Sequence, residues 1–321
     1  MAVRGSQLPG AAMQEESGAA WAYAALLAAM LISSGNFMFG NLAVREIAPW
    51  TLTFWRTAIA LACVVPFALQ GHHDLAGYFR RQKVKVLVLS VTGVILPAWL
   101  MYLSLRSHLL IDLSVGYTLI PLMAVLFSAL LLGERLLVIQ YLGLAAAFLG
   151  ALACAFEGEL SNLARFDPHA GFVWMMAVCL TRSLYLVLLR KWDMHPSPGE
   201  GLFVLLALGV AILVPGFVGE EVASRAPLDY PWQVWGSIAF IGVGMGALYL
   251  HLISFGTGRI GATKASLFTY TVPLLVTVES ILFLGSRIHA YQIVAALLVV
   301  GGVFIVSWFR SLEPHPSEVH H

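Results

Sequence analysis

Apolar runs of about 20 residues recur along the whole chain, at roughly 19–40, 48–69, 84–104, 111–132, 136–155, 169–190, 199–218, 232–255, 262–284 and 287–308. A run of about that length crosses a bilayer core as one α-helix. Inside hydrocarbon only helices and closed barrels satisfy their own backbone polar groups. The connections between runs, the longest at 156–168 and 219–231, are too short to fold as domains. Hydrophobic residues make up 60% of the chain and charged residues 11%, against roughly 25% charged in soluble domains. The sequence therefore predicts an all-α integral membrane protein with ten transmembrane helices, its partner the lipid bilayer.

The formal net charge of +1 points to no nucleic-acid partner, but the placement of positive charge is informative. With a cytoplasmic N-terminus, the inner side holds Arg4, Arg80, Arg81, Lys83, Lys85, Arg135, Arg190, Lys191, Arg259, Lys264 and Arg310, and the outer side Arg45, Arg106, Arg165, Arg225 and Arg287. That is eleven against five, with Arg56 and Arg182 inside spans. Both termini are expected in the cytoplasm. The first run follows a polar tail with Glu15 and Glu16 and reads as a retained helix rather than a signal peptide. Tails 1–18 and 309–321 read as disordered. Cys63, Cys154 and Cys179 fall inside spans at unrelated spacings, which suggests packing rather than disulfides or a metal site.

Residues 121–135, PLMAVLFSALLLGER, return at 273–287 as PLLVTVESILFLGSR, with seven of fifteen positions identical at an offset of 152. At the same offset Ser114 matches Ser266, Gln140 matches Gln292 and Gly150 matches Gly302. The chain divides into halves of five helices, 19–155 and 169–308, joined by a linker at 156–168. Five is odd, so the second half enters the membrane inverted, a recurring construction in transporters.

A span ending in Gly-Glu-Arg after an upstream proline, followed by a span opening near Gln140–Gly143 and closing around Gly150, resembles the EamA-type repeat of the drug/metabolite transporter superfamily. So does Phe-Trp-Arg at 54–56. The second copy departs from the pattern where Ser286 replaces Glu134. The resemblance covers both halves and implies a ten-helix carrier exporting small metabolites. It also implies a cavity lined by the first, third, fourth, sixth, eighth and ninth helices.

Candidate site residues follow from polar and aromatic side chains deep in spans. Ser266, Tyr270, Pro273, Thr277 and Ser280 share a face of the ninth helix, and Ser114, Tyr117, Pro121 and Ser128 a face of the fourth. Such stripes line a substrate path or hold helices together. Pro121 and Pro273 sit at matching depth and are candidate hinges. Trp174, Val178, Arg182 and Tyr185 form a stripe on the sixth helix. An arginine near mid-membrane costs about 3 kcal/mol on insertion scales, so Arg182 needs a partner. It is expected to grip a substrate carboxylate or, slightly favoured, to pair with Glu279, the only carboxylate well inside a span. Arg56, two turns into its span, reads as a structural residue that snorkels. Asp112 and Lys264, at equivalent positions, read as interface charges. Trp99, Tyr102, Tyr117, Tyr249 and Tyr270 are candidate ring contacts for a ligand. Asn36 is the best amide candidate, and His251 a candidate ligand contact or proton acceptor. In GVGMG (242–246), Gly242 and Gly246 share a face and permit close helix approach.

No nucleotide-binding motif and no arrangement of residues for an intramembrane enzyme is present, so neither cofactor nor enzymatic activity is expected. The expected function is secondary transport of a small-molecule substrate through the bacterial inner membrane, by a monomer or homodimer. Amino acids, aromatic ones included, lead the substrate classes. Nucleosides, polyamines and drugs are the alternatives.

Overall fold

A computed structural model describes residues 9–70, 75–107, 110–133, 137–159, 168–194, 200–223, 229–260, 265 and 268–310. Among these residues every regular element is helical: α1 (Pro9–Ala43), α2 (Pro49–Leu69), α3 (Leu75–Arg106), α4 (Leu110–Leu132), α5 (Val138–Ala155), α6 (Ala170–Lys191), α7 (Gly201–Ala223), α8 (Trp232–Ile260), α9 (Thr269–Leu284) and α10 (Ala290–Arg310). Eight are long and apolar enough to cross a membrane, and two shorter apolar helices occur in α9 and α10. Two helices start earlier than hydropathy suggests. Helix α1 reaches back to Pro9, into the expected tail, and α3 begins at Leu75 and bends at Gln82 (φ −128°, ψ 22°). Arg80, Arg81, Lys83 and Lys85 therefore ride on a helix rather than a loop.

The principal contacts join the first five helices to the last five, in exchanged pairs: α1 with α8 and α6 with α3, α1 with α9 and α6 with α4, α2 with α8 and α7 with α3. Helix α2 also packs on α7, and α5 packs on α10 more extensively than any other two helices. Each of these pairs has its counterpart when the two sets of five helices are exchanged. The correspondence is finest at α5 and α10, where small residues let backbones touch. A Cβ on Gly143 would meet the Gly302 carbonyl at 2.6 Å, and one on Gly150 the Ala295 carbonyl at 2.8 Å. The 152-residue offset maps each of these contacts onto the other.

Local geometry repeats as well. A π-helical turn interrupts α3 at Val91–Ile95 and α8 at Gly244–Leu248. Helix α4 breaks at Thr118–Leu119, and α9 opens with a 3-10 turn, Thr269–Thr271. Gly133 (φ 72°) and Gly285 (φ 64°) close the two helices in the left-handed conformation glycine adopts without strain. The next helices are capped alike: the Leu137 N–H donates to Gln140 Oε1 at 2.8 Å, and the His289 N–H to Gln292 Oε1 at 3.0 Å.

Gly242 and Gly246 permit close approach, as expected. A Cβ at either would lie 2.6 Å from Ile59 Cγ2 or Ala60 Cβ on α2.

Candidate functional site: a central cavity with two arginines

Six helices converge on one narrow central cavity. Asn36 enters from α1, Arg56 from α2, Met101 and the Gly93–Ala98 stretch from α3, Tyr117 from α4, Val178 and Arg182 from α6, and Met245 from α8. The second helix thus takes the place that the family resemblance gives to the ninth. The space is about 50 Å³, room for water but below the roughly 300–1,000 Å³ of ligand pockets. Among the described residues, no carboxylate lines it.

The π turn of α3 frees a carbonyl from the regular helical ladder. Arg182 Nη1 takes it up, donating to Gly93 O at 2.9 Å. The same guanidinium lies 5.4 Å from the centre of the Tyr185 ring, which packs against Gly93. Arg182 is thereby held at the cavity by neutral groups, and the expected pairing with Glu279 is not formed. Glu279 Oε1 instead makes a hydrogen-bond contact of 2.6 Å with Ser34 Oγ.

Asn36 is buried. Its Nδ2 donates to Met101 Sδ at 3.5 Å, and its Oδ1 is buried without a partner. The Tyr117 ring meets Phe37 edge-on, with centroids 5.4 Å apart. Tyr249 lies within electrostatic reach of Tyr117 and Arg182. Arg56 faces this space rather than snorkelling outward. Beside it, the fully buried Tyr102 hydroxyl finds no hydrogen bond of good geometry.

The cavity thus gathers Asn36, Tyr117 and Arg182, with Tyr102, Tyr185 and Tyr249 close behind. Other candidates lie elsewhere. Trp99 packs edge-on against Trp50, 5.5 Å between centroids, beside a cleft reaching Glu220. Other ring contacts join Phe54, Trp55, Phe217, Trp235 and Tyr230 at the end of the bundle where α2 and α8 begin. His251 is exposed on a lateral apolar groove between α2 and α8, because its register turns it away from the centre. Tyr270 packs on the core formed by α4, α5, α6 and α10. The Thr277 hydroxyl bonds back to Pro273 O at 2.7 Å. Ser266 lies outside the described residues, as does Lys264. Pro121 and Pro273 stand in the first turn after each break, where proline forfeits no helical hydrogen bond.

Asp112 differs most from its reading as an interface charge. It is fully buried, accepting from Gln292 Nε2 at 2.7 Å and Tyr291 O–H at 3.0 Å, and so ties α4 to α10. Arg56, Met101, Met245 and the lining residues Gly93, Val94, Pro97 and Ala98 are cavity residues that sequence reasoning missed. Arg56 borders the buried stripe Thr53, Thr57, Ala60 and Val64, a signal that its side chain is placed within the bundle.

Comparison with known proteins agrees with this architecture. The profile of the EamA-like transporter family matches residues 20–156 and again 169–308. An uncharacterized transporter, YyaM, of Bacillus subtilis is 24% identical over 89% of this chain and 93% of its own. The chloramphenicol-sensitive protein RarD of Pseudomonas aeruginosa is 26% identical over 62% of each chain. A solved crystal structure superposes with a TM-score of 0.58 at 19% identity, covering 91% of this chain and 98% of that one.

Proposed function

The chain belongs to the EamA-like transporter family, multi-pass membrane transporters of the drug/metabolite superfamily, and from that premise we propose that it exports small metabolites bearing a carboxylate. Amino acids with aromatic or other apolar side chains lead that class. Movement is by alternating access between two inverted five-helix repeats, in the bacterial inner membrane, with both termini cytoplasmic. The exchanged helix contacts and duplicated π turns, breaks and caps support the repeat reading, because a carrier built this way opens to either side by swapping the conformations of its halves.

One observation carries the substrate class. Arg56 and Arg182 reach one cavity from different halves of the chain, and no acid lines it among the described residues. A guanidinium in a low-dielectric space calls for an anion, and its planar fork suits a carboxylate. The orphaned Asn36 Oδ1 is an acceptor for a substrate ammonium, and Tyr117 offers a ring to an apolar side chain.

Purified protein in liposomes loaded with labelled phenylalanine or labelled phenethylamine, its decarboxylated analogue, tests the reading. Phenylalanine should leave faster than from protein-free liposomes, whereas phenethylamine, which crosses a bilayer unaided as its neutral amine, should leave no faster than it does from them. An equal protein-dependent gain for both, or none for phenylalanine with folded protein, would refute the carboxylate assignment.

A further inference from the structure

The second chemical feature of the bundle lies apart from the arginines, where α9 crosses α1. Glu279 is half-buried on α9, and its Oε2 is buried without a hydrogen-bond partner. Its Oε1 lies 2.6 Å from Ser34 Oγ on α1, and that Oγ lies 3.1 Å from Leu31 O. Ser34 is fully buried. It owns one hydroxyl hydrogen, yet both neighbouring oxygens are acceptors when Glu279 is ionised, so the two contacts can only share it as a weaker three-centre bond. A proton on Glu279 Oε1 completes the set: Glu279 donates to Ser34 Oγ, and the serine hydrogen serves Leu31 O. The acid becomes neutral, and its buried Oε2 becomes a carbonyl oxygen rather than part of a desolvated anion.

Among the described residues, the groups packed around α9 supply no counter-charge. On α1, Tyr23 stacks near Phe268, 5.9 Å between centroids. On the facing part of α4, Tyr117 packs on Phe37 and Asp112 is bonded to Tyr291 and Gln292. Arg182 is engaged with Gly93.

Resting on the carrier reading above, we propose that the Glu279 carboxyl and Ser34 hydroxyl form a proton-binding site through which the protein exchanges a proton for its substrate. The two residues belong to opposite halves, so their contact is made or broken as the halves rock. Two residues along α1 from Ser34, Asn36 lines the cavity. Proton loss leaves an anion against an apolar surface, which favours a rearrangement of α1 against α9. Substrate occupancy and proton occupancy are thereby tied to one helix.

Infrared difference spectra between acid and alkaline pH test the site without any substrate. The wild type should show a carboxylic-acid C=O band that vanishes as the proton leaves. Glu279→Gln should lack that band, and Ser34→Ala should keep it at a shifted frequency. Flux measurements then test coupling. With the membrane potential clamped at zero, because exchange of a proton for zwitterionic phenylalanine moves one charge, vesicles acidified inside by one pH unit should accumulate labelled phenylalanine about tenfold over vesicles at equal pH, for one proton exchanged per substrate. Glu279→Gln should lose accumulation yet retain exchange at equal pH. A band unchanged by Glu279→Gln, or accumulation that survives it, overturns the proposal. If phenylalanine moves through no variant, the substrate reading fails and the infrared result alone decides the proton site.

Discussion

At the scale of single residues, the cavity divides its work between charge and shape. Replacing Arg182 by alanine removes a charge-assisted hydrogen bond of about 1.5–3 kcal/mol, so half-saturation by phenylalanine should rise about 10- to 100-fold in efflux assays. Arg56→Ala should fall in the same range if both guanidinia face the substrate. An unchanged Arg56→Ala variant would return that residue to a purely structural role. Asn36, Tyr117 and Arg182 were legible because a polar group deep in a span must find a polar partner. Depth alone, however, leaves a side chain's direction around its helix open. That is why His251 turns out on a lateral groove, Trp99 against Trp50 and Arg56 inside the cavity. The buried stripe on α2 was the better guide to Arg56 than its distance from the span's end.

Elements show the duplication more plainly than residues do, and they also show where it stops. The repeated prolines announced matching depth, but the breaks lie just before them, and each proline opens a helix rather than bending one. Proline at such a compatible site stabilises by restricting the unfolded chain, so Pro121→Ala should lower stability by about 0.4–1 kcal/mol in thermal unfolding. A stabilised variant would restore the reading of a strained mid-helix kink. The π turns carried no sequence mark, since hydropathy is blind to one extra residue in a turn. Gln140 and Gln292 cap their helices alike but spend their amides differently, on Val306 O at 3.3 Å and on the buried Asp112 carboxyl at 2.7 Å. Gln292→Ala should therefore destabilise by about 1–2 kcal/mol more than Gln140→Ala. Equal losses would show that the Asp112 contact contributes little.

The whole molecule turns on whether all ten helices cross. Eight do so by length and composition, while α9 and α10 offer the shorter apolar stretches Thr269–Leu284 and Ala290–Val306. Their packing argues that they span, because α9 lies against α1 and α10 runs along α5, both long apolar helices. The Gly143–Gly302 and Gly150–Ala295 contacts also need α10 to run at the depth of α5. Single cysteines, in a chain lacking Cys63, Cys154 and Cys179, can be read from each side with a membrane-impermeant maleimide. With ten spans, Ser286→Cys between α9 and α10 should label from outside, and Ser6→Cys and Ser311→Cys only from within. If α9 and α10 dipped into the membrane and returned, Ser286→Cys would label from within, where α8 ends. The two five-helix halves would then no longer be equivalent, and a carrier that works by exchanging their conformations would lose its basis. External labelling at 286 alone would place Glu279 within a true span, where the state of its proton can be felt from both sides as the halves exchange.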